Sequence, residues 1–297
     1  MAKHGDMGET GETMAGVAGS DLSNIFESRE VLEASYIPNE LPYREPQTER
    51  MASVLVSALR GDVSSNILLH GRRGTGKTTT ARYVGHELES AGRRFGSDCE
   101  VKYINCKEVD TCHRVLTRLA QLLGRVEVPE RGWPTDRVYD AVVDGTELHG
   151  RVVVVLDEVD NLVEKSGDGV LYSLSRMNRD LDEARVSLIS ISDDASFTDL
   201  VSPRVKSSLG EEVVYFPSYT AEQLREVLRP RAEAGFVDGA VGDEVVPACA
   251  AFAAMEGGDA RCALDLLRCA GETADRSGKE KVRREDVRSA RDKLGLG

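Results

Sequence analysis

Asn66-Ile67-Leu68-Leu69-His70-Gly71-Arg72-Arg73-Gly74-Thr75-Gly76-Lys77-Thr78 is the stretch from which the rest of the chain is read. Three apolar residues, Ile67 to Leu69, run into Gly-x-x-x-x-Gly-Lys-Thr, and a helix-forming segment follows. The pattern predicts a short buried strand, a phosphate-binding loop and a helix. Each residue type has a chemical reason to be there. Glycines let the backbone close round a polyphosphate with N–H groups pointing inward. The helix that starts at the loop adds its positive dipole end. Lys77 is expected to reach the β- and γ-phosphates, and the Thr78 hydroxyl to ligate magnesium. Gly74, Thr75, Gly76, Lys77 and Thr78 are therefore candidate nucleotide contacts. A glycine-rich turn alone matches this pattern by chance; the apolar strand before it sets this one apart.

The second signal is Arg151-Val152-Val153-Val154-Val155-Leu156-Asp157-Glu158. A continuous apolar run suits a strand covered on both faces, as in a parallel sheet. Ligands of such sheets sit at the carboxyl ends of the strands. Asp157 is then expected beside the phosphate loop, holding magnesium directly or through water. Glu158, one residue on, is placed to polarise an attacking water as a general base. An acidic loop after a core strand is common by itself; the phosphate loop is what gives this one a chemical reading.

Around these two signals, strand and helix patterns alternate. Helices are expected over 47–59, from 78 to 90 with a stop at Ala91-Gly92, and over 110–124, 135–148 and 169–178. Strands are expected over 100–105, 185–192 and 212–216. The alternation predicts an α/β fold, a three-layer αβα core with a parallel sheet. From Ser218 onward the pattern is helical only. Thr220-Ala221-Glu222-Gln223 opens a capping box, further helices are expected over 243–255, from 259 after Gly257-Gly258, and over 285–294. The expected organisation is a disordered tail over 1–20, a nucleotide-binding domain over 21–217 and a small all-α domain over 218–297.

Composition bounds the rest. The chain has 297 residues, 40% hydrophobic and 5% aromatic, enough for one large or two modest domains. Its 38 basic and 51 acidic side chains give a formal charge of −13, a surface that as a whole does not attract nucleic acid. No apolar run reaches the length of a membrane span, and the first residues lack the apolar centre of a signal peptide. A cytoplasmic protein with no membrane partner is expected. The six cysteines include no Cys-x-x-Cys pair, which fits reduced thiols. Cys112-His113 has no matching partners for a metal.

Gly71–Thr78, Asp157-Glu158 and the helical carboxyl domain together resemble an AAA+ ATPase. More specific are Arg204-Val205-Lys206-Ser207-Ser208-Leu209-Gly210, Phe216-Pro217-Ser218-Tyr219 followed by Ala221-Glu222-Gln223-Leu224, and Gly258-Asp259-Ala260-Arg261-Cys262-Ala263-Leu264-Asp265-Leu266-Leu267. These resemble the archaeal replication-initiator family, related to the origin recognition complex large subunit and the Cdc-type helicase loader. Tyr43-Arg44-Glu45 is similar to that family's amino-terminal segment near the adenine. The likeness runs from about residue 25 to the end. It implies ATP or ADP with Mg2+ as cofactors, a helical lid over 218–297, and roles for matched positions. Tyr43, Arg44, Tyr219 and Arg231 would contact nucleotide, Arg261 would be the second sensor arginine reporting the γ-phosphate, and Arg204 would be offered to a neighbour's nucleotide. Residues 110–145, with Arg114, Arg118, Arg125, Arg131 and Arg137, would hold the helix by which initiators touch duplex DNA. Other initiator subunits and a replicative helicase are the implied protein partners.

Three departures from the family's pattern stand out. Ser192-Asp193-Asp194 replaces the usual Ser-Asn-Asp, so an ionised carboxylate, which only accepts hydrogen bonds, stands where an amide would meet the γ-phosphate. Slow hydrolysis with retained binding is the expectation. Pro230, directly before Arg231, is expected to kink its helix. The 297 residues end before the winged-helix module that follows in the family, so sequence-specific origin recognition by this chain alone is not expected. The function read from the sequence is an ATP/ADP switch, weakly hydrolytic, acting on origin DNA or the initiation complex. The alternatives are a truncated regulatory paralogue that binds nucleotide and proteins but no DNA, or another AAA+ member such as a clamp-loader subunit.

Overall fold

The computed structural model describes residues 25–296 apart from 61, 63, 64, 98, 195, 210 and 211. The expected tail over 1–20 and Gly210 of the arginine-bearing motif lie outside the described residues. The elements in chain order are α1 (Glu45–Leu59), β1 (Ile67–His70), α2 (Lys77–Phe95), β2 (Glu100–Asn105), α3 (Cys112–Leu122), α4 (Thr135–His149) and β3 (Arg151–Asp157). Then come α5 (Val159–Ser166), α6 (Gly169–Arg176), β4 (Arg185–Ser192), α7 (Phe197–Leu200), α8 (Pro203–Leu209) and β5 (Glu212–Tyr215). Four helices follow, α9 (Ala221–Gly235), α10 (Val245–Met255), α11 (Ala260–Arg276) and α12 (Arg284–Lys293).

The strands form one parallel sheet in the order β2-β3-β4-β1-β5. Alternate residues of the central strands point to opposite faces, and both faces are covered. Val152, Val154 and Leu156 of β3 join a cluster with α3, α4, α5, α6 and α8. Val153 and Val155 join a second cluster with Met51 and Leu55 of α1 and Ala81, Val84 and Leu88 of α2. This explains why β3 is apolar throughout rather than alternating. Each such buried Val or Leu contributes about 1.5–3 kcal/mol of transfer free energy. The core is thus the three-layer αβα arrangement with its parallel sheet. The order also brings the carboxyl ends of β3, β4 and β1 side by side, since Leu156 is in register with Ser190, and His70 with Ser192.

Several elements differ from the sequence expectation. Helix α2 does not stop at Gly92 but runs to Phe95, where Gly96 at φ 66° closes it by donating to the Gly92 carbonyl. Gly92 is there for a close approach: a Cβ at that position would lie 2.5 Å from the Ser97 carbonyl oxygen of the returning chain. Helices α5, α7 and α8 were not expected; at eight, four and seven residues they are too short to show a period. Helix α9 contains Pro230 and continues through it to Gly235. The proline thus lies inside a helix, the setting in which the sequence reading expects it to kink the chain by removing one main-chain donor.

The described residues fall into two compact units. One comprises 37–227 and 253–262, and holds the sheet and both clusters above. The other comprises 25–36, 228–252 and 263–296. In that second unit Phe26 stacks on Phe236 with ring centroids 4.9 Å apart. Gly271 lies beneath the pair, where a Cβ would be 2.5 Å from Phe26 and 2.6 Å from Phe236. Leu266, Leu267, Ala270, Val245, Cys249, Val287 and Ala290 fill its interior. Among the described residues no helix is long and apolar enough to cross a membrane.

Candidate functional site

Every site residue discussed first belongs to the sheet-bearing unit. After β1 the chain turns through Gly71, Gly74 and Gly76 at φ 149°, 70° and 90°, backbone conformations that a side chain makes costly. Gly71 is further constrained, since a Cβ there would meet the Phe216 carbonyl oxygen at 2.3 Å. Lys77 opens α2 and folds its ammonium back into the loop. Its Nζ donates to the carbonyls of Gly71 at 2.6 Å and Arg72 at 2.7 Å, and pairs with Asp193 Oδ1 at 2.8 Å. Thr75 is fully buried, and its hydroxyl donates to the Arg72 carbonyl.

Asp157 emerges from β3 as the sequence expects. Its Oδ2 accepts from the Thr78 hydroxyl at 2.7 Å, and its Oδ1 from the Glu158 N–H at 3.0 Å. The Tyr103 hydroxyl, from β2, also donates to Oδ2. Tyr103 was not foreseen. Burial first, and then the charge of Asp157, push its hydroxyl well above the ordinary phenol range, so it is a fixed donor. Arg82 of α2 covers the Tyr103 ring at 4.2 Å. Glu158 takes the left-handed conformation at φ 55°, ψ 47°, as the residue preceding α5. A non-glycine residue held there stores strain of the sort found at functional sites. Its Oε2 accepts from Asn161 Nδ2 at 3.3 Å.

Arg44 is 2% exposed and acts as a clamp. Its Nε donates to the Thr75 carbonyl, Nη1 to that of Tyr43 and Nη2 to that of Pro217, at 2.8, 2.7 and 2.7 Å. The guanidinium lies 3.7 Å from the Tyr219 ring centroid. One side chain thus fixes the phosphate loop, the segment before α1 and the segment after β5. Arg44→Ala is expected to destabilise the fold by about 3 kcal/mol or more, since three inward-facing carbonyls lose a charged donor. Arg44→Lys should not restore it, because a point ammonium cannot span three acceptors and stack on a ring. Urea unfolding of both variants checks this; an Arg44→Ala midpoint equal to that of the unchanged chain contradicts the clamp. Tyr43 has φ 63° and is 41% exposed, and the Tyr219 hydroxyl is 3.0 Å from where a Gly76 Cβ would stand.

The sequence reading placed Asp259 at a helix start but did not foresee its contact with the phosphate loop. Its Oδ1 accepts from the N–H groups of Arg261 and Cys262 at 2.7 and 3.0 Å, capping α11. The same carboxylate packs on Gly74, where a Cβ would collide with Oδ1 at 1.7 Å. The Ala260 N–H donates to the Gly74 carbonyl at 3.0 Å. The start of α11, and with it Arg261, is therefore hydrogen-bonded directly to the phosphate loop. Among the described residues the Arg261 guanidinium has no hydrogen-bond or ion-pair partner. The signal for its capping role is an acidic residue directly before a helix, the ordinary cap position.

Arg231 lies in the other unit. It is 7% exposed, its Nη2 reaches the carbonyls of Glu33 and Tyr36 at 3.4 and 3.5 Å, and its guanidinium sits over the Tyr36 ring. Arg204, on α8, is exposed and lies 5.5 Å from the Tyr172 ring. The arginines over 110–145 are in part neutralised by neighbours. Arg114 pairs with Asp110, and Arg125 with Glu127 and Asp144. Arg137 stacks on Trp133 at 3.7 Å, while Arg118 and Arg131 stand exposed.

The residues present suit a nucleoside polyphosphate with a hard divalent cation. The loop cradle is one that side chains at Gly71, Gly74 or Gly76 would fill or distort. A hydroxyl and a carboxylate meet at its floor, the oxygen donors magnesium favours. Among the described residues no three His, Cys, Asp or Glu side chains gather to hold a metal by themselves.

Fold and site together define a nucleotide-binding protein of the AAA+ class. Residues 62–200 match the AAA domain family, and residues 225–292 match the Cdc6 AAA+ ATPase-type lid domain. The chain is 46% identical to ORC1-type DNA replication protein 4 of Haloarcula marismortui, with 92% of this chain and 62% of that protein aligned. It is also 46% identical to the ORC1-type DNA replication protein of Methanoregula boonei, over 97% of this chain and 70% of that one. The structure of the Aeropyrum pernix ORC1 protein in complex with DNA superimposes with a TM-score of 0.85 at 45% identity, covering 92% of this chain and 71% of that one. This chain belongs to the family of ORC1-type DNA replication proteins. It spans 62% of the length of the Haloarcula relative.

Proposed function

We propose that the chain is an ATP/ADP switch in the initiation of DNA replication, weakly hydrolytic, acting on origin DNA or on the initiation complex. The observation that carries this is the direct bonding of the α11 start to the phosphate loop. The Ala260 N–H and the Asp259 carboxylate both meet Gly74. A change in the loop backbone is thereby passed to the helix that bears Arg261.

Within this reading, Gly74 to Lys77 cradle the phosphates of ATP or ADP, and Thr78 and Asp157 hold Mg2+. When bound, Mg2+ neutralises phosphate charge and the triphosphate supplies the bond that is cleaved. Tyr103 keeps Asp157 aimed by donating to it. Glu158 orients water from its strained backbone position, and Arg261 senses the γ-phosphate. Tyr43, Tyr219 and Arg231 are the further nucleotide contacts that the family resemblance implies. Arg204 is offered to a neighbouring subunit, and contact with duplex DNA is made through residues 110–145. That part of the reading draws on the relative solved with DNA, and on Arg114 and Arg118 sharing the exposed side of α3.

Fluorescence anisotropy with duplex DNA, across a salt series and with or without ATP, tests it. Affinity is expected to fall steeply with salt, as phosphate contacts require, and to differ between ATP and nucleotide-free protein. Arg114→Glu with Arg118→Glu should weaken it. Unchanged binding in that double variant removes α3 from the DNA contact, and identical binding with and without ATP removes the switch.

A further inference from the structure

We propose that Asp193 is a built-in competitor for the phosphate-loop lysine, a carboxylate that a nucleotide's phosphate must displace; this rests on the nucleotide reading above. An ammonium has three N–H donors. In this structure Lys77 donates to two carbonyls, those of Gly71 and Arg72, and its Nζ is ion-paired with Asp193 Oδ1 at 2.8 Å. The lysine side chain is 3% exposed, so water does not compete for it. Of these three partners only Asp193 carries charge, and it occupies the position of an anion on the group that binds anions in this loop.

The arrangement follows from the sheet. Strand β4 lies beside β1 with Ser192 in register with His70. The residue after Ser192 therefore stands next to the start of the phosphate loop. Asp193 is oriented by its own backbone, whose N–H donates to Asp160 Oδ1 at 3.4 Å. The next carboxylate, Asp194, is engaged elsewhere: its Oδ1 accepts from the Ser196 N–H and hydroxyl at 2.8 and 2.7 Å. The pairing thus belongs to one position and is not a general effect of two adjacent acids.

Two consequences follow for binding. A phosphate that takes the Lys77 ammonium replaces one anionic partner by another, so no ion pair is gained. The released Asp193 carboxylate then faces phosphate charge at short range, which is repulsive. Both effects lower affinity relative to a neutral amide at this position, which would leave Lys77 free to exchange and impose no repulsion.

The experiment is calorimetric titration of Mg·ATP and of ADP into nucleotide-free protein, comparing the unchanged chain with Asp193→Asn and Asp194→Asn. Asp193→Ser serves as a second variant, with circular dichroism to confirm folding. Asp193→Asn is expected to bind both nucleotides about 10- to 100-fold more tightly, the range of one charged hydrogen bond. Asp194→Asn, with the same change in net charge, should bind as the unchanged chain does. Without nucleotide, Asp193→Asn should melt at a lower temperature, because a buried ammonium loses its counter-ion. If the unchanged chain binds and the Asp193 variants bind no more tightly, the competitor role is wrong and the nucleotide reading stands. If neither the unchanged chain nor the variants bind any nucleotide, the nucleotide reading falls, and this inference with it.

Discussion

Lys77→Ala is expected to lower the affinity for ATP by about two to three orders of magnitude, the equivalent of one or two charge-assisted hydrogen bonds in a desolvated setting. The cation is nearly buried, and its carbonyl partners, Gly71 and Arg72, are loop backbone. Removing it takes away the positive charge that meets the phosphates. It also leaves Asp193 unneutralised at the same spot, so the loss should exceed that of a lysine with no acidic neighbour. Fold stability should change less, because Asp193 keeps 37% of its side-chain surface in contact with solvent. Equilibrium binding with a fluorescent ATP analogue measures the first effect and thermal unfolding the second. Affinity within a few-fold of the unchanged chain would place the phosphates somewhere other than this loop.

Glu158→Gln is expected to reduce ATP turnover by about 10²–10⁴-fold, the range a positioned general base supplies, while nucleotide affinity holds. The amide keeps the size and the Asn161 contact but cannot accept a proton at neutral pH. A companion variant separates chemistry from strain. Glu158→Gly also removes the base, yet relieves the left-handed backbone at φ 55°, and should raise stability by about 1 kcal/mol. Single-turnover phosphate release and urea unfolding report the two effects separately. Turnover unchanged in Glu158→Gln would assign the water-orienting role elsewhere.

The fold was legible wherever a long apolar or alternating run carried it. The bounds of β2 and β4 match the reading residue for residue and β3 covers Arg151–Asp157 of the run read from Arg151 to Glu158, because Val152 to Leu156 and Val186 to Ile191 leave few alternatives to a covered strand. The short helices α5, α7 and α8 left no periodic trace. Residues 25–36 were read as part of the nucleotide-binding domain, and their grouping with 228–252 depends on Phe26 meeting Phe236, a pairing far apart in sequence. At the site, the loop glycines, Lys77, Thr78 and Asp157 were visible because their chemistry is tied to local spacing. Tyr103 and Asp259 were not, because each depends on which segments become neighbours. Tyr103 reaches Asp157 only because β2 pairs with β3, and Asp259 reaches Gly74 only because the chain returns after α10. Asp193 stood out in the sequence as an oddity, but its partner is set by the β4–β1 adjacency.

The central claim is that the loop from Gly71 to Thr78 holds a nucleoside triphosphate. Isothermal titration of Mg·ATP into folded protein stripped of carried-over nucleotide tests it most directly. The structure predicts saturable heat at one site per chain, with affinity about two to three orders of magnitude weaker in Lys77→Ala. Folded material that takes up neither ATP nor ADP at any accessible concentration would contradict it.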